Sequence, residues 1–248
     1  MAAPTDDTYL HRVVAVLGAF RGEEDAVGAA ELARRTGLPK STVHRIVLAL
    51  VEEGLLERHA AHVRLGMRLF EIGQRVPRQR VLRDAARPYM QDLRAATGQT
   101  VHLAILDGAE VVYVDILAAP GGPPLPSRVG GRLPAHATGV GKAMLAFCPP
   151  ETVRAVLDGG LPRLSERSTV APGLLLRTLA AVRRAGVAYD QEESGLGIVC
   201  AASPVLGAGG EVLGALSVSG RSGRMRLDQV SPAVHTAALA LSRTLGRP

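Results

Sequence analysis

GAAELARRTGLPKSTVHRIVLALVEEGLLERHAAHVRLG, residues 28–66, decides the architecture of the N-terminal part of the chain. Residues 28–36 and 39–53 are two helical patterns separated only by Gly37 and Leu38. In the second, Val43, Ile46, Val47, Leu50 and Val51 recur at i, i+3, i+4, i+7 and i+8, one apolar stripe at helical period. Gly37 supplies the conformational freedom of a sharp inter-helix turn, and Pro39 suits a first helical turn, where its missing N–H is no loss. The other face carries Lys40, Ser41, Thr42, His44 and Arg45, side chains that reach phosphates and base edges in a major groove. This spacing predicts a helix-turn-helix whose second helix reads DNA.

A helical hairpin with a polar face is, taken alone, more often a solvated surface. The next residues argue against that. After Gly54, residues 55–58 and 62–65 flank His59-Ala60-Ala61, and Val63 and Leu65 alternate with Arg64. Such a pattern predicts a two-stranded wing, from which Arg64 would touch phosphate. Charge agrees: residues 32–80 hold ten Lys/Arg against four Asp/Glu, which equals the +6 of the whole chain and leaves the rest neutral. A local cationic excess on a reader is the footprint of phosphate contact. The Arg bias by itself says less, because Lys40 and Lys142 are the only lysines and genome composition produces the same bias.

With 248 residues and 47% hydrophobic content the chain can build a sizeable core and is expected to hold two domains. Seven aromatics and no Trp leave that core to Ala, Val and Leu. No run of eighteen apolar residues occurs, and the opening MAAPTDDTYLHR is acidic where a signal peptide is basic then apolar. A soluble, cytoplasmic protein without membrane association is expected. Cys148 and Cys200 are too few and too isolated for a disulfide framework or a zinc site, and no cofactor or metal is expected.

Working outward, residues 9–21 set Leu10, Val13, Val14, Leu17 and Phe20 on one helical face, which should pack behind the helix pair. Residues 67–80 turn polar after Ile72, and Pro77 should interrupt any helix there, so the domain junction is placed in this stretch. Residues 81–97 form a second long helical pattern that Gly98 ends. Beyond it the period becomes two: Val101, Leu103 and Ile105 alternate with His102, Ala104 and Leu106, Asp107-Gly108 marks a hairpin, and 110–117 returns as a strand. A Pro/Gly loop at 118–131, helices at 139–147 and 174–184, strands at 197–205 and 212–219, and a helix over 228–245 complete an α+β domain. The expected division is 7–68 for DNA binding, 69–97 as a connecting helical segment, and 98–248 as the second domain.

Three segments of that domain, LPAHATGVGKAMLA (133–146), GVAYDQEESGLGIVCAASPV (186–205) and GALSVSG (214–220), occur in order with LPKSTVHRIVLALVEEGLL and QTVHLAILDGAEVVYVD. The ordered set resembles the IclR (isocitrate lyase regulator) family of bacterial transcription factors over residues 9–246. The resemblance implies a winged helix-turn-helix, a connecting helix and a GAF-like effector-binding domain. It further implies a dimer or tetramer that represses or activates operons, often for small carboxylates or aromatic catabolism. Positions matching Asp190, Cys200, Ser217 and Ser219 contact effectors in that family, with Gly139 and Val140 at a helix start and Leu125, Leu133 and Ile198 as apolar lining. Two departures stand out: Val63 occupies the place of a wing aromatic, and Gly139 replaces a frequent Ala, which should enlarge the local pocket.

The residues themselves support part of this. Thr138 is a suitable N-cap, and Gly139-Val140-Gly141 opens a helix whose free N–H groups suit a carboxylate; a tight turn without ligand is the plain alternative. Ser217 and Ser219, two apart in a strand, point to one face. Read alone, they are ordinary sheet residues, Cys200 is a small buried hydrophobe, and His136 only braces a turn. GVGKA is not a nucleotide loop: a P-loop needs Gly at 136 and Ser or Thr at 143, where His136 and Ala143 stand, and Met144 breaks a dinucleotide fingerprint. No Gly-x-Ser-x-Gly elbow or His-x-x-x-His pair occurs, which leaves Cys200 with His102 or His136 as the one conceivable nucleophile–base pair. The expected partners are double-stranded DNA with a pseudo-palindromic operator, a small carboxylate or aromatic effector, and a second copy of the chain. A sensor acting through a protein partner is the competing reading, and the basic module argues against it.

Overall fold

The computed structural model describes residues 8–21 and 24–246. Residue 7, the expected start of the DNA-binding domain, lies outside the described residues, as do the acidic first residues and 247–248. The chain divides into two compact units between Pro77 and Arg78.

In the first unit, α1 (Tyr9–Gly18), α2 (Ala29–Thr36) and α3 (Lys40–Glu52) precede a hairpin of β1 (Leu56–His59) and β2 (His62–Leu65), and α4 (Met67–Gly73) follows. Thr8 caps α1 by accepting a hydrogen bond from the His11 N–H at 3.3 Å. Gly37 ends α2 in the left-handed region at φ 71°, so the turn into α3 needs only two further residues, Leu38 and Pro39. Pro39 stands just before α3 rather than inside its first turn. The core gathers Val16, Leu32, Val43, Ile46, Leu50, Leu56 and Val63. On α1 the buried stripe is rotated from the expected one. Val16 is fully buried with Val13 and Leu17 beside it, whereas Leu10 and Val14 are exposed. Arg35 locks the unit from outside, donating to Glu24, to Glu31 and to the Ala19 carbonyl.

The wing turns in two residues, Ala60-Ala61, with His59 opposite His62; Ala60 takes φ 51°. Val27 adds an isolated antiparallel bridge to β2, pairing with Val63 through N–H···O bonds of 2.8 and 3.0 Å. Val63 is thereby buried in the core, which explains an aliphatic residue there.

The division falls at the first residue of α5 (Pro77–Thr97), and the rest of that helix opens the second unit. Pro77 starts this helix instead of interrupting one, as a residue without N–H does at a first turn. Strands β3 (Thr100–Asp107), β4 (Glu110–Leu117), β5 (Arg132–Pro134), β6 (Ala188–Gln191), β7 (Ile198–Leu206) and β8 (Val212–Arg221) form one antiparallel sheet in the order β5-β4-β3-β8-β7-β6. Helices α6 (Gly139–Leu145), α7 (Pro150–Asp158) and α8 (Pro172–Ala185) supply apolar residues to one sheet core, α5 and α9 (Leu227–Leu245) to the other. The fold is α+β. Elements outside the sequence reading include β5 and β6, too short for alternation to register, and α7, which starts in a Pro149-Pro150 pair that reads as loop. The helix expected to reach Phe147 ends at Leu145.

Central strands alternate between two cores. Val101, Leu103, Leu216 and Val218 pack toward α5 and α9, while Ala104, Ala215, Cys200 and Ala202 pack toward α6 and α8. Gly141 lets α6 settle against the 3-10 turn at Ala135–Ala137; a Cβ there would stand 2.0 Å from the Ala135 carbonyl oxygen.

Candidate functional site

On α3, Lys40, Ser41, His44 and Arg45 are exposed and Thr42 is half-buried. The stripe opposite them (Val43, Ile46, Val47, Leu50) is buried, so packing rather than charge sets which side faces out. Most of the nearby arginines have other work. Arg34 and Arg35 pair with Glu31 and Glu24, Arg68 with Glu53, and Arg64 with Glu57 across the wing at 2.9 Å. Arg64 holds the Glu57 carboxyl below the usual range, and the Met67 N–H adds to that effect. A phosphate would therefore compete with Glu57 for Arg64. Among the described residues of the hairpin and wing, Lys40, Arg45 and Arg58 have no acidic partner.

In the second unit the strand register assembles a pocket in two rows. One row runs Asp190–Cys200–Ser219 across β6, β7 and β8, the next Ala202–Ser217–His102 across β7, β8 and β3. Gly139, Val140 and Thr138 at the start of α6, Tyr113 on β4, Leu125, Pro126 and Ser127 from the β4–β5 loop, and Ser194 and Ile198 close it. Its cavity measures about 20 Å³, room for about one water. Of the effector residues expected from sequence, Leu125, Gly139, Val140, Asp190, Ile198, Cys200, Ser217 and Ser219 meet here. Leu133 does not. It sits on β5 opposite Val111 and packs against the core on the α6 side.

His102 is fully enclosed, and burial lowers its pKa to about 4, so the ring is neutral. Its Nε2 lies 2.8 Å from Ser127 Oγ and its Nδ1 3.4 Å from Ser217 Oγ, and the ring packs at 5.4 Å from that of Tyr113. Burial, then the nearby Asp190 charge, pushes the Cys200 thiol up to about 12. That leaves no thiolate for nucleophilic chemistry. The Tyr113 hydroxyl is also raised by burial. Asp190 is raised by burial too, against opposing hydrogen bonds. Its Oδ1 accepts from the Glu193 and Ser194 N–H groups at 2.7 and 3.3 Å, and its Oδ2 from Ser194 Oγ at 2.5 Å. Asp190 thus shapes the β6–β7 loop as well as lining the pocket.

Behind the pocket a buried ion pair joins Lys142 of α6 to Glu193 of that loop, with Thr169 Oγ1 on the second Glu193 oxygen. Ser165 and Ser168 donate to the Glu192 and Glu193 carbonyls. His136 lies outside the pocket lining: its Nε2 approaches the Pro162 carbonyl at 3.1 Å, and it braces the turn before α6. Thr138 Oγ1 caps α6 by accepting from the Gly141 N–H at 3.1 Å. Helix geometry leaves the Gly139 and Val140 N–H groups without i−4 partners.

The two units match known proteins over almost the whole chain. Residues 10–60 match the IclR helix-turn-helix domain, and residues 74–243 match the bacterial transcriptional regulator IclR C-terminal domain. The chain belongs to the IclR family. IclR-family relatives include the HTH-type transcriptional regulator XynR of Escherichia coli, 34% identical with 96% of this chain and 97% of that protein covered. The transcriptional repressor IclR of the same organism is 32% identical, covering 83% and 77%. Among solved structures, an IclR homolog from Microbacterium hydrocarbonoxydans complexed with 4-hydroxybenzoate superposes with a TM-score of 0.87 at 33% identity, covering 96% of this chain and 99% of that one. The chain is a ligand-controlled DNA-binding transcriptional regulator and not an enzyme.

Within the IclR frame, Gly139 does not leave open space. A Cβ at this position would stand 2.9 Å from Cys200 Sγ and 3.4 Å from Ala202 Cβ, so the glycine makes room for the cysteine. His102, Tyr113, Ser127 and Ser194 are lining residues that sequence reasoning missed. For His102 a signal existed: it alternates with Val101 and Leu103 and so had to face the side of the sheet that α6 covers.

Because the folded His102 binds its proton only near pH 4 while an unfolded histidine does so near 6.5, the unfolded state holds more protons between those values. Stability contributed by the neutral ring is therefore complete above about pH 6.5 and is lost as pH falls toward 4. Urea unfolding of wild type and His102→Gln at pH 7 and pH 4.5 should show the wild-type advantage shrinking by on the order of 2–3 kcal/mol. An advantage independent of pH would mean that the ring is not held neutral.

Proposed function

We propose that the chain regulates an operon by binding a pseudo-palindromic operator as a homodimer, and that a small carboxylate or aromatic metabolite in the sheet pocket alters that binding. The working division is 7–68 for reading DNA, 69–97 for connection and 98–248 for sensing, with α5 also contributing Leu82, Ala86, Met90 and Leu93 to the sensor core. Its DNA partner makes the cytoplasm its place of action. Among the described residues no helix is long and apolar enough to cross a membrane. The observation that carries the reading is the convergence of eight expected effector residues on one enclosed pocket.

On DNA, Arg45, Thr42 and Lys40 carry the main contacts, Ser41 and His44 add to them, and Arg64 reaches phosphate when Glu57 releases it. One reader helix covers a half-site, so two copies are needed for a full operator. Tyr9, Leu10 and Val14 on α1, and Met67, Phe70 and Ile72 on α4, are all at least half exposed, which supports burial against a second copy. The connecting helices around residues 68–96 are the candidate N-terminal interface, to which the exposed α1 residues would add, with the sensor units available for further pairing.

In the pocket, the Gly139 and Val140 N–H groups would donate to the carboxylate, Ser217 and Ser219 would orient it, and Leu125 and Ile198 would cover the apolar part. The bound 4-hydroxybenzoate of the Microbacterium relative supports this ligand class. A cavity of about 20 Å³ has to widen first. Leu125–Ser127 belong to a Pro/Gly-rich loop, and the Ser127–His102 hydrogen bond is the contact an entering ligand would break. Asp190, already bonded to its own loop, takes the ligand's hydroxyl or a proton rather than its carboxylate. The ligand shifts operator affinity by its differential affinity for the two DNA-binding states, typically about 1–3 kcal/mol.

Three measurements test the reading. Arg45→Ala should weaken operator binding by about 1–3 kcal/mol and relax one base position; unchanged affinity and selectivity would remove Arg45 from the reading face. Sedimentation at micromolar concentration should give a dimer or larger, and a monomer with and without operator contradicts the assembly. A Ser217→Ala/Ser219→Ala double variant should bind operator as wild type does yet lose most of the response to the metabolite found by a thermal-shift screen of organic acids. A normal response would place the effector elsewhere.

A further inference from the structure

The outward face of α3 holds Ser41, His44, Arg45 and Leu48, recurring at i, i+3, i+4 and i+7. Three of them are polar or charged. The fourth, Leu48, has 40% of its surface exposed, and it is absent from the side chains that pack the unit's core, where Val43, Ile46, Val47 and Leu50 sit. A single exposed leucine is ordinary on a protein surface. Its position here is what matters, because it continues the stripe of Ser41 and Arg45.

At 1.5 Å per residue, Leu48 lies about 10 Å along the axis from Ser41, within a major groove about 12 Å wide. One turn further, the exposed Glu52 would meet phosphate repulsion, and the exposed Glu53 follows at the C-cap. Leu48 is therefore the last position of the stripe before the acidic end of the helix. Against polar base edges a leucine would strip water and return no hydrogen bond. Among the groups that base pairs present in the major groove, the thymine C5-methyl is the apolar one.

We propose that Leu48 is a specificity-determining residue, packing on the C5-methyl of a thymine neighbouring the base pair that Arg45 reads. The inference rests on α3 being the base-reading helix. Leu48 adds an apolar requirement to a surface whose other contacts are hydrogen bonds and charge. It predicts that this position of the operator distinguishes thymine from cytosine, and also from uracil, which differs from thymine only by the methyl group.

The test selects binding sites from a randomised duplex library with the full-length protein as wild type, Leu48→Ala and Arg45→Ala. Wild type should enrich a motif with a fixed thymine, and Leu48→Ala should relax that position alone. Deoxyuridine in place of that thymine should weaken wild type about fourfold, the factor that burying one methyl-sized group carries, and leave Leu48→Ala unchanged. If Leu48→Ala enriches the wild-type motif in full, or wild type tolerates deoxyuridine at every thymine, the proposal is wrong. Failure of the underlying reading looks different: Arg45→Ala would then also enrich the wild-type motif, and α3 would not be the reader.

Discussion

The central strands of the second unit are covered on both faces, and most of its chemistry follows from that constraint. A strand buried on both sides has to satisfy two cores with alternate residues, so a polar side chain survives only where neighbours on the same face answer it. On β8, Leu216 and Val218 serve the core shared with α5 and α9, while Ser217 and Ser219 face the other way. The antiparallel register then sets Ser217 beside His102 and Ser219 beside Cys200, and Cys200 beside Asp190. A one-residue slip of β8 would send both serines into the wrong core. The pocket is thus a consequence of register, and its floor is as rigid as the sheet.

Its rim is held by a different force. Lys142 is almost wholly buried, and its pairing with Glu193 brings α6 and the β6–β7 loop together at the pocket edge. An ion pair in such surroundings adds little net stability, but breaking it by removing one partner typically costs about 3–5 kcal/mol, because a buried charge is left uncompensated. The remaining lone pairs are answered: Thr169 meets the second Glu193 oxygen, and serines 165 and 168 hold the loop carbonyls. Glu192 adopts φ 66° within this clamp. The β4–β5 loop on the other side touches the pocket floor through the Ser127–His102 bond. One edge is clamped by an ion pair and the other is tied by a single serine–histidine hydrogen bond.

The DNA-reading unit distributes its cations between two tasks. The local excess of positive charge is genuine, yet Arg34, Arg35, Arg64 and Arg68 are each held by a carboxylate of the same unit. Arg35 in particular is structural, fastening α2 to the segment behind α1. Among the described residues of the hairpin and wing, the cations without an acidic partner are Lys40, Arg45 and Arg58. A charge count measures the field that draws the protein to DNA; the geometry of the ion pairs decides which guanidinium can read a base.

The helix pair was legible in the chain because its signals are local: period 3.6 in Val43–Ile46–Leu50, a glycine where φ must be positive, and Gly54 before a two-residue-period wing. The same holds for β3, β4, β7 and β8, for which alternation and turn residues suffice, and for the ordered motifs that mark the IclR family. Sequence also named eight of the pocket residues, through resemblance more than through chemistry. What only the tertiary structure decided is non-local. Leu133 misses the pocket because β5 pairs at the far edge of the sheet, and His102 enters it because β3 lies beside β8, more than a hundred residues later. Gly139 gives its space to Cys200, and Glu193 captures Lys142 across a separation of fifty-one residues. Periodicity reports which side of an element is buried, but which residues meet there depends on strand order and register, and these are set by the packing of the whole sheet.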